Sequence, residues 1–223
     1  MRNRFVLFLK IVTPILAVFI AVYALVLRPW HQRWGATNAE VRAILAGDDL
    51  IAATGQVTHA ITINAPPEKV WPWLMQIGQD RGGFYSYTLL EHLVGCEMPK
   101  VEHIVPQWRL RGTGETVWFG TPRRFKGQAF MVAAVVEPHK AFVMVGAPDW
   151  KKIQAGDRGH GGSWGFVIEP VDASHSRLIA RLRGGTPASL WARIVGATFW
   201  DPAHFIMERK MLRTIKRLAE ENS

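Results

Sequence analysis

The sequence predicts an α+β protein: an antiparallel sheet, a long C-terminal helix and a separate apolar helix at the N-terminus. Three observations carry this. Short strand-like runs recur from Thr116 to Arg183 with brief turns between them, the pattern of an antiparallel meander. The stretch from Ser189 to Glu221 keeps helical periodicity, with Phe205, Leu212, Ile215 and Leu218, flanked by Met207 and Met211, on one broad apolar face. Residues Ile11 to Leu27 carry no charge and as a helix extend about 26 Å, near the lower limit for crossing a bilayer.

The N-terminal region, residues 1–33, reads as a membrane anchor. Lys10 can snorkel to lengthen the apolar run, and Trp30 and Trp34 lie where an interfacial aromatic belt belongs. The alternative is a cleaved signal peptide, whose charged start also fits; Leu25-Val26-Leu27 continues the apolar run past the best cleavage site. The expected location is therefore a single pass in a cell membrane. Basic residues flank the run on both sides, so the side of the soluble part is unassigned.

Residues 34–56 form a juxtamembrane segment. Thr37-Asn38-Ala39-Glu40 fits a capping box for a short helix to about Ala46, stopped by Gly47, and Asp48-Asp49 reads as the start of a polar linker. The main domain, 57–223, opens on a half-buried strand, with Val57, Ile61 and Ile63 alternating with Thr58, Ala60 and Thr62. Pro66-Pro67 then starts a helix carrying Val70, Trp71, Leu74 and Ile77, stopped by Gly78. Gly82-Gly83 allows a sharp turn, and Ser86 is placed to cap a second helix with Leu89, Leu90, Leu93 and Val94, closed by Gly95.

Strands are expected at Thr116–Phe119, Gln128–Val136, Ala141–Val145, Ser163–Glu169 and Arg177–Arg183. Ile104 to Trp108 is irregular or an edge, since Pro106 cannot donate to a ladder. In the last strand Leu178, Ala180 and Leu182 share one face, and Arg177, Ile179, Arg181 and Arg183 the other. The tail reads as one long helix broken at Pro202.

The chain of 223 residues suits one anchor plus one domain, and 48% apolar residues is a globular composition. Ten Trp and eleven Phe fit either a large aromatic core or a roomy apolar pocket. The net charge of +9 is scattered except for Arg209, Lys210, Arg213, Lys216 and Arg217, which reads as a solvated helix face able to touch anionic headgroups; no nucleic-acid partner is expected. Cys96 is the single cysteine, so no intramolecular disulfide or cysteine-based zinc site can form.

Four motifs bear on chemistry. Gly161-Gly162-Ser163-Trp164-Gly165 matches Gly-x-Ser-x-Gly, and His160-Gly161-Gly162 resembles an oxyanion-hole loop, but a strand follows where a nucleophile elbow needs a helix. Asp201, His204 and Glu208 stand three and four apart on one helix face, which reads as a capping aspartate with a surface ion pair rather than a metal site. Gly112-Thr113-Gly114 is a turn without the third glycine of a dinucleotide loop. Asp80 and Arg81 form either a local ion pair or a polar rim to a pocket. No convergent acid–base set emerges, so binding is expected ahead of catalysis, with no metal and no cofactor.

The order of elements and the run Ile-x-Ile-x-Ala-Pro-Pro-Glu-x-Val-Trp-Pro-Trp-Leu-x-Gln-x-Gly-Gln-x-Arg-Gly-Gly-Phe-Tyr-Ser-Tyr, which spans Ile61 to Tyr87, resemble a membrane-anchored bacterial branch of the START-like (SRPBCC) superfamily. That superfamily includes Bet v 1-type and polyketide cyclase/dehydrase-like proteins. Trp34-Gly35-Ala36-Thr37, Ile104-Val105-Pro106-Gln107-Trp108, and Pro202-Ala203-His204-Phe205 with Met207-Glu208-Arg209 extend the resemblance. It implies a helix-grip fold: a curved antiparallel sheet wrapped on the tail helix, two short helices closing one end, and a cavity between sheet and helix for a hydrophobic small molecule or lipid. Trp73, Tyr85, Tyr87, Trp108, Trp118, Trp164, Phe205 and Met211 are the pocket candidates by residue type and implied geometry. A polyketide cyclase/dehydratase-like enzyme using the same cavity is the alternative, and a module with a filled core and no ligand a further one.

Overall fold

The structure is a computed structural model that describes residues 2–93 and 95–221. Val94, expected in the second short helix, lies outside the described residues. The elements are α1 (Arg2–Val22), α2 (Arg28–His31), α3 (Asn38–Arg42), β1 (Gly55–Ile63), α4 (Pro67–Met75), α5 (Thr88–Leu93), β2 (Thr116–Trp118), β3 (Phe130–Glu137), β4 (Ala141–Gly146), α6 (Ala147–Gln154), β5 (Gly162–Pro170), β6 (Ser176–Gly184), α7 (Leu190–Val195) and α8 (Asp201–Glu221).

The six strands make one antiparallel sheet in the order β1-β6-β5-β4-β3-β2. The last five strands form the expected meander, and the first joins its far side. The inner face packs on α4 and α8. Ile63, Phe142, Met144, Phe166 and Leu178 from the sheet meet Val70, Trp73 and Leu74 from α4 and Met211, Leu212, Ile215 and Leu218 from α8. Fully burying such side chains is worth about 1.5–3 kcal/mol each, which is why the apolar stripe of α8 needs this cover. This is the helix-grip arrangement: a sheet closed over one long terminal helix.

Two parts differ from the sequence reading. Residues 36–52 are a cover for the outer face of the sheet. α3 has its capping box, the Thr37 hydroxyl accepting from Glu40 N and the Glu40 carboxylate from Thr37 N. It stops at Arg42 because Arg181 reaches the carbonyls of Glu40 and Ala43. Asp48 is buried, where a polar linker was expected, because Arg181 and Arg183 converge on its carboxylate. Arg177 binds Glu40 in the same way, at 2.6 Å. Leu45, Ala60 and Ile179 form a small second core beneath, so Thr58 and Ala60 are buried rather than solvent-facing.

The second difference is α6, which follows directly on β4 where only the end of the expected strand Ala141–Val145 was foreseen. Proline within the first turn and Asp149 behind it are helix-start features. The Asp149 carboxylate accepts from the amides of His160, Gly161 and Gly162 at 2.9–3.1 Å. The loop that resembled an oxyanion hole therefore spends its amides on a resident carboxylate. Ser163 is a buried residue of β5, paired with Val145 and Arg183, with no helix after it.

The tail is helical throughout from Leu190. The break expected at Pro202 is absorbed as a π-helical turn, Gly196–Trp200; a second such turn, Tyr23–Leu27, precedes Pro29. In each case proline removes a backbone donor and crowds the carbonyl four residues back, which lies inside the widened turn. The two turns face each other: the Tyr23 hydroxyl donates to the Ala197 carbonyl. Asp201 is not a helix cap, since its carboxylate instead accepts from Arg28 at 2.8 Å and Gln32 at 3.1 Å. From Val12 to His31 the N-terminal helix is long and apolar enough to cross a bilayer, with mean hydropathy 2.0; its most apolar window is unburied by the domain, and His31 at its end is buried against Phe205.

Candidate ligand cavity and its polar wall

A cavity of about 410 Å³ lies between the inner face of the sheet and the first turns of α8. Met131, Trp164 and Leu182 project into it from the sheet, and Ala203, His204, Met207 and Met211 from α8. Phe84, Phe119 and Phe125 form a third side, while Trp200 stands at the rim, 60% exposed. The lining is overwhelmingly apolar. A filled core, the third possibility raised by the sequence, is not what these walls enclose.

Its position follows from the chain. Trp164 and Leu182 face each other across β5 and β6 in register, on the face opposite Arg181 and Arg183. α8 presents Ala203, Met207 and Met211 at four-residue spacing, one stripe on one face. Phe84 stacks on Trp164 at 5.8 Å and packs against Phe119 at 4.6 Å, which makes that side rigid. The chain can bring Phe84 there because Gly83 turns with φ +78°; a Cβ at that position would stand 2.4 Å from the Pro99 carbonyl oxygen.

One wall is polar. Glu208 is buried on α8, and its carboxylate accepts from Trp164 Nε1 and from His59 Nδ1. His59 is itself fully buried and donates from Nε2 to the His31 carbonyl at 2.7 Å. Both ring nitrogens of His59 thus face acceptors, the Glu208 carboxylate on one side and a backbone carbonyl on the other. His204 Nε2 lies 3.4 Å from Glu208 Oε1, an ion-pair distance outside hydrogen-bond geometry, which leaves that nitrogen without a bonded partner. Burial works to raise the Glu208 pKa, but the neighbouring His204 first, and the bond from His59 after it, outweigh that and hold the group well below the carboxylate range. Burial pushes His204 down; Glu208 first, and Asp201 after it, outweigh that and hold His204 above the usual imidazole value. The result is a proton donor at the edge of an apolar space, backed by a carboxylate. His59, His204 and Glu208 place their ligand atoms within 4.8 Å of one another. However, two of the three are already engaged with each other.

The eight residues singled out from the sequence fall in several places. Trp164 and Met211 line the cavity. Trp73 is buried in the core with its edge toward Tyr85, at 6.0 Å. Tyr85 is buried too, its hydroxyl accepting from Gln76 at 3.3 Å, and burial pushes its pKa up to about 12. Tyr87 is exposed beneath Lys210, and with Tyr85 borders a separate surface groove. Trp108 is half-buried in a 3₁₀ turn, and Trp118 packs on Phe130 at 5.2 Å. Phe205 is clasped by Trp30, His31, Trp34 and His59, and so joins the N-terminal helix to α8.

Arg81 is a brace for the glycine turn. It donates to the carbonyls of Met75, Trp108 and Leu110 and pairs with Glu115 at 3.1 Å, in place of the local pair with Asp80. Ser86 donates to the Met207 carbonyl at 3.0 Å and stands two residues before α5, so it ties that helix to α8. Cys96 is half-buried on the cavity wall; burial, then Glu91, raises its pKa.

His59 escaped the sequence reading, although its position was informative. It shares the strand face of Val57, Ile61 and Ile63, and a histidine on an inward face requires a buried partner. Phe119, Phe125, Met131 and Leu182 gave no such sign, because nothing local distinguishes a cavity wall from a core.

No family model and no curated protein matches the sequence. Among solved structures the chain is similar to a protein from Mesorhizobium loti, with 17% identity over 76% of this chain and 99% of that one and a TM-score of 0.38. It is likewise similar to a polyketide-cyclase-like protein from Corynebacterium glutamicum, with 17% identity over 75% of this chain and 92% of that one and a TM-score of 0.37. A third similar structure is an aromatase/cyclase from a Streptomyces species, with 13% identity over 75% of this chain and 94% of that one and a TM-score of 0.38. Likeness at this level concerns the path of the chain and leaves activity to the residues of this protein.

Proposed function

We propose that the protein is a membrane-anchored binding or carrier protein for a hydrophobic small molecule or lipid, held between the sheet and α8. The observation that carries this reading is the cavity itself: about 410 Å³, bounded by Phe, Met, Leu and Trp side chains, with one polar wall. Sites of about 300–1,000 Å³ with apolar walls and a few placed polar groups are typical of small-ligand pockets. Val12–His31 supplies the anchor, and the half-buried Phe205 under Trp30 and Trp34 fastens the domain to it. Gentle purification of the full chain followed by mass spectrometry of extracted material tests the reading. One apolar species per chain, enriched over bulk lipid, is the expected result; a preparation that carries no such species and takes up no apolar probe after delipidation overturns it.

A second reading is favoured by His204. A histidine that faces an apolar space with Glu208 behind it is equipped to protonate or deprotonate a bound carbonyl compound. Under that reading the protein is a cyclase- or dehydratase-like enzyme. His204→Gln would then abolish turnover of a bound polyketone and leave its affinity within about threefold. Unchanged turnover in that variant rejects the enzymatic reading and leaves the binding one intact.

A further inference from the structure

The segment Leu190–Trp200 is a second apolar surface unaccounted for by the fold. Leu190, Trp191, Ile194, Phe199 and Trp200 are each 44–72% exposed, and Arg193 is the single charged residue among them. An exposed patch of this kind on a domain that is otherwise well packed marks a contact surface.

Its level relative to the N-terminal helix is fixed by bonds. Asp201 is held beside Arg28 and Gln32, at the end of the span, while the Tyr23 hydroxyl reaches the Ala197 carbonyl. Tyr23 precedes His31, the last residue of the apolar stretch, by two helical turns, or about 12 Å along the axis. Ala197 is therefore level with a residue well inside the span. Trp200, at the rim of the cavity, sits between these two levels, and Ala203, His204 and Met207 follow within it.

We infer that residues 190–200 are embedded in the same bilayer leaflet as the adjoining half of the N-terminal helix, and that the cavity opens into lipid rather than into water. This rests on the reading of Val12–His31 as a membrane span. The ligand class narrows accordingly to membrane-resident amphiphiles that pass Trp200 sideways, with His204 placed to meet a polar end. The occupant of the surface is lipid because the patch is continuous with the exposed span and is pinned to its level by backbone and ion-pair contacts; a protein partner would require neither.

The test uses the full chain with Cys96→Ser as background, reconstituted into phosphatidylcholine/phosphatidylglycerol vesicles. Spin labels are placed at Trp191→Cys and Phe199→Cys, with Phe19→Cys as the span reference and Leu110→Cys, 84% exposed, as the aqueous one. Relaxation by oxygen against relaxation by a water-soluble nickel chelate is then compared. The expected result is that positions 191 and 199 favour oxygen as position 19 does, with the ratio reversed at 110. Positions 191 and 199 behaving like 110, while 19 favours oxygen, overturns the inference and leaves the span standing. Labels shielded from both agents report a protein cover and also overturn it. An aqueous position 19 removes the span and the inference together.

Discussion

Replacing Glu208 by Gln isolates the polar wall of the cavity. The amide keeps the volume and can still accept from Trp164, but it removes the charge facing a fully buried His59 and the neighbouring His204. Breaking one side of a buried ion pair costs about 3–5 kcal/mol, because the other charge stays behind without solvent. For a domain of this size that is a fall of about 10 °C in the unfolding midpoint, at about 2–4 °C per kcal/mol. The assay is thermal or denaturant unfolding of the full chain in micelles, read by far-ultraviolet circular dichroism. Removing both hydrogen-bonded partners, as in Glu208→Gln with His59→Gln, leaves only His204 facing the amide and restores part of the loss.

The pH dependence has a definite sign. His204 titrates above its unfolded value, so its contribution is complete below about pH 6.5 and disappears as pH rises through the higher native value. Glu208 titrates below its unfolded value, so its contribution is present above about pH 4.3 and disappears as pH falls toward the native value. Stability attributable to this wall is therefore greatest between those limits and declines on both sides. In Glu208→Gln the alkaline decline vanishes with its cause. A variant within about 1 kcal/mol of the native chain, with the alkaline decline intact, would refute the reasoning, since the typical cost of a buried unpaired charge exceeds that.

Three further outcomes are expected. Arg181→Leu breaks the buried contact with Asp48 and frees the carbonyls of Glu40 and Ala43; it costs about 3–5 kcal/mol, and hydrogen exchange speeds up first in residues 36–52. Gly83→Ala forces a side chain into φ +78° and against the Pro99 carbonyl, and destabilises by at least about 1–2 kcal/mol, measured as a lower denaturation midpoint. Cys96 reacts slowly with iodoacetamide at neutral pH because its pKa is raised, and a bound apolar ligand slows it further by covering the cavity wall; labelling rates with and without a probe such as a fluorescent fatty acid check both parts.

Much of the architecture was legible because it is written in local periodicity. The alternation in Arg177–Arg183 separates an inner face of Leu178, Ala180 and Leu182 from an outer face that meets Glu40 and Asp48. The capping box at Thr37 and the apolar face of α8 were equally plain. What stayed hidden depends on contacts distant in sequence. Asp48 looks like linker until Arg181 is brought beside it, and Asp149 looks like a strand-end residue until the amides of residues 160–162 fold onto it. The cavity was the least legible part. Trp73 and Trp164 are the same residue type on neighbouring elements, but only the second borders empty space, and volume left unfilled has no sequence code.

The most direct measurement of the central claim is the stoichiometry of apolar-probe binding to the delipidated full chain, compared with a Met207→Trp variant that places an indole in the cavity. The native protein is expected to show one saturable site per chain, and the variant to lose it with its unfolding midpoint unchanged. Saturable binding that survives in Met207→Trp, or no saturable binding in the native chain, would contradict it.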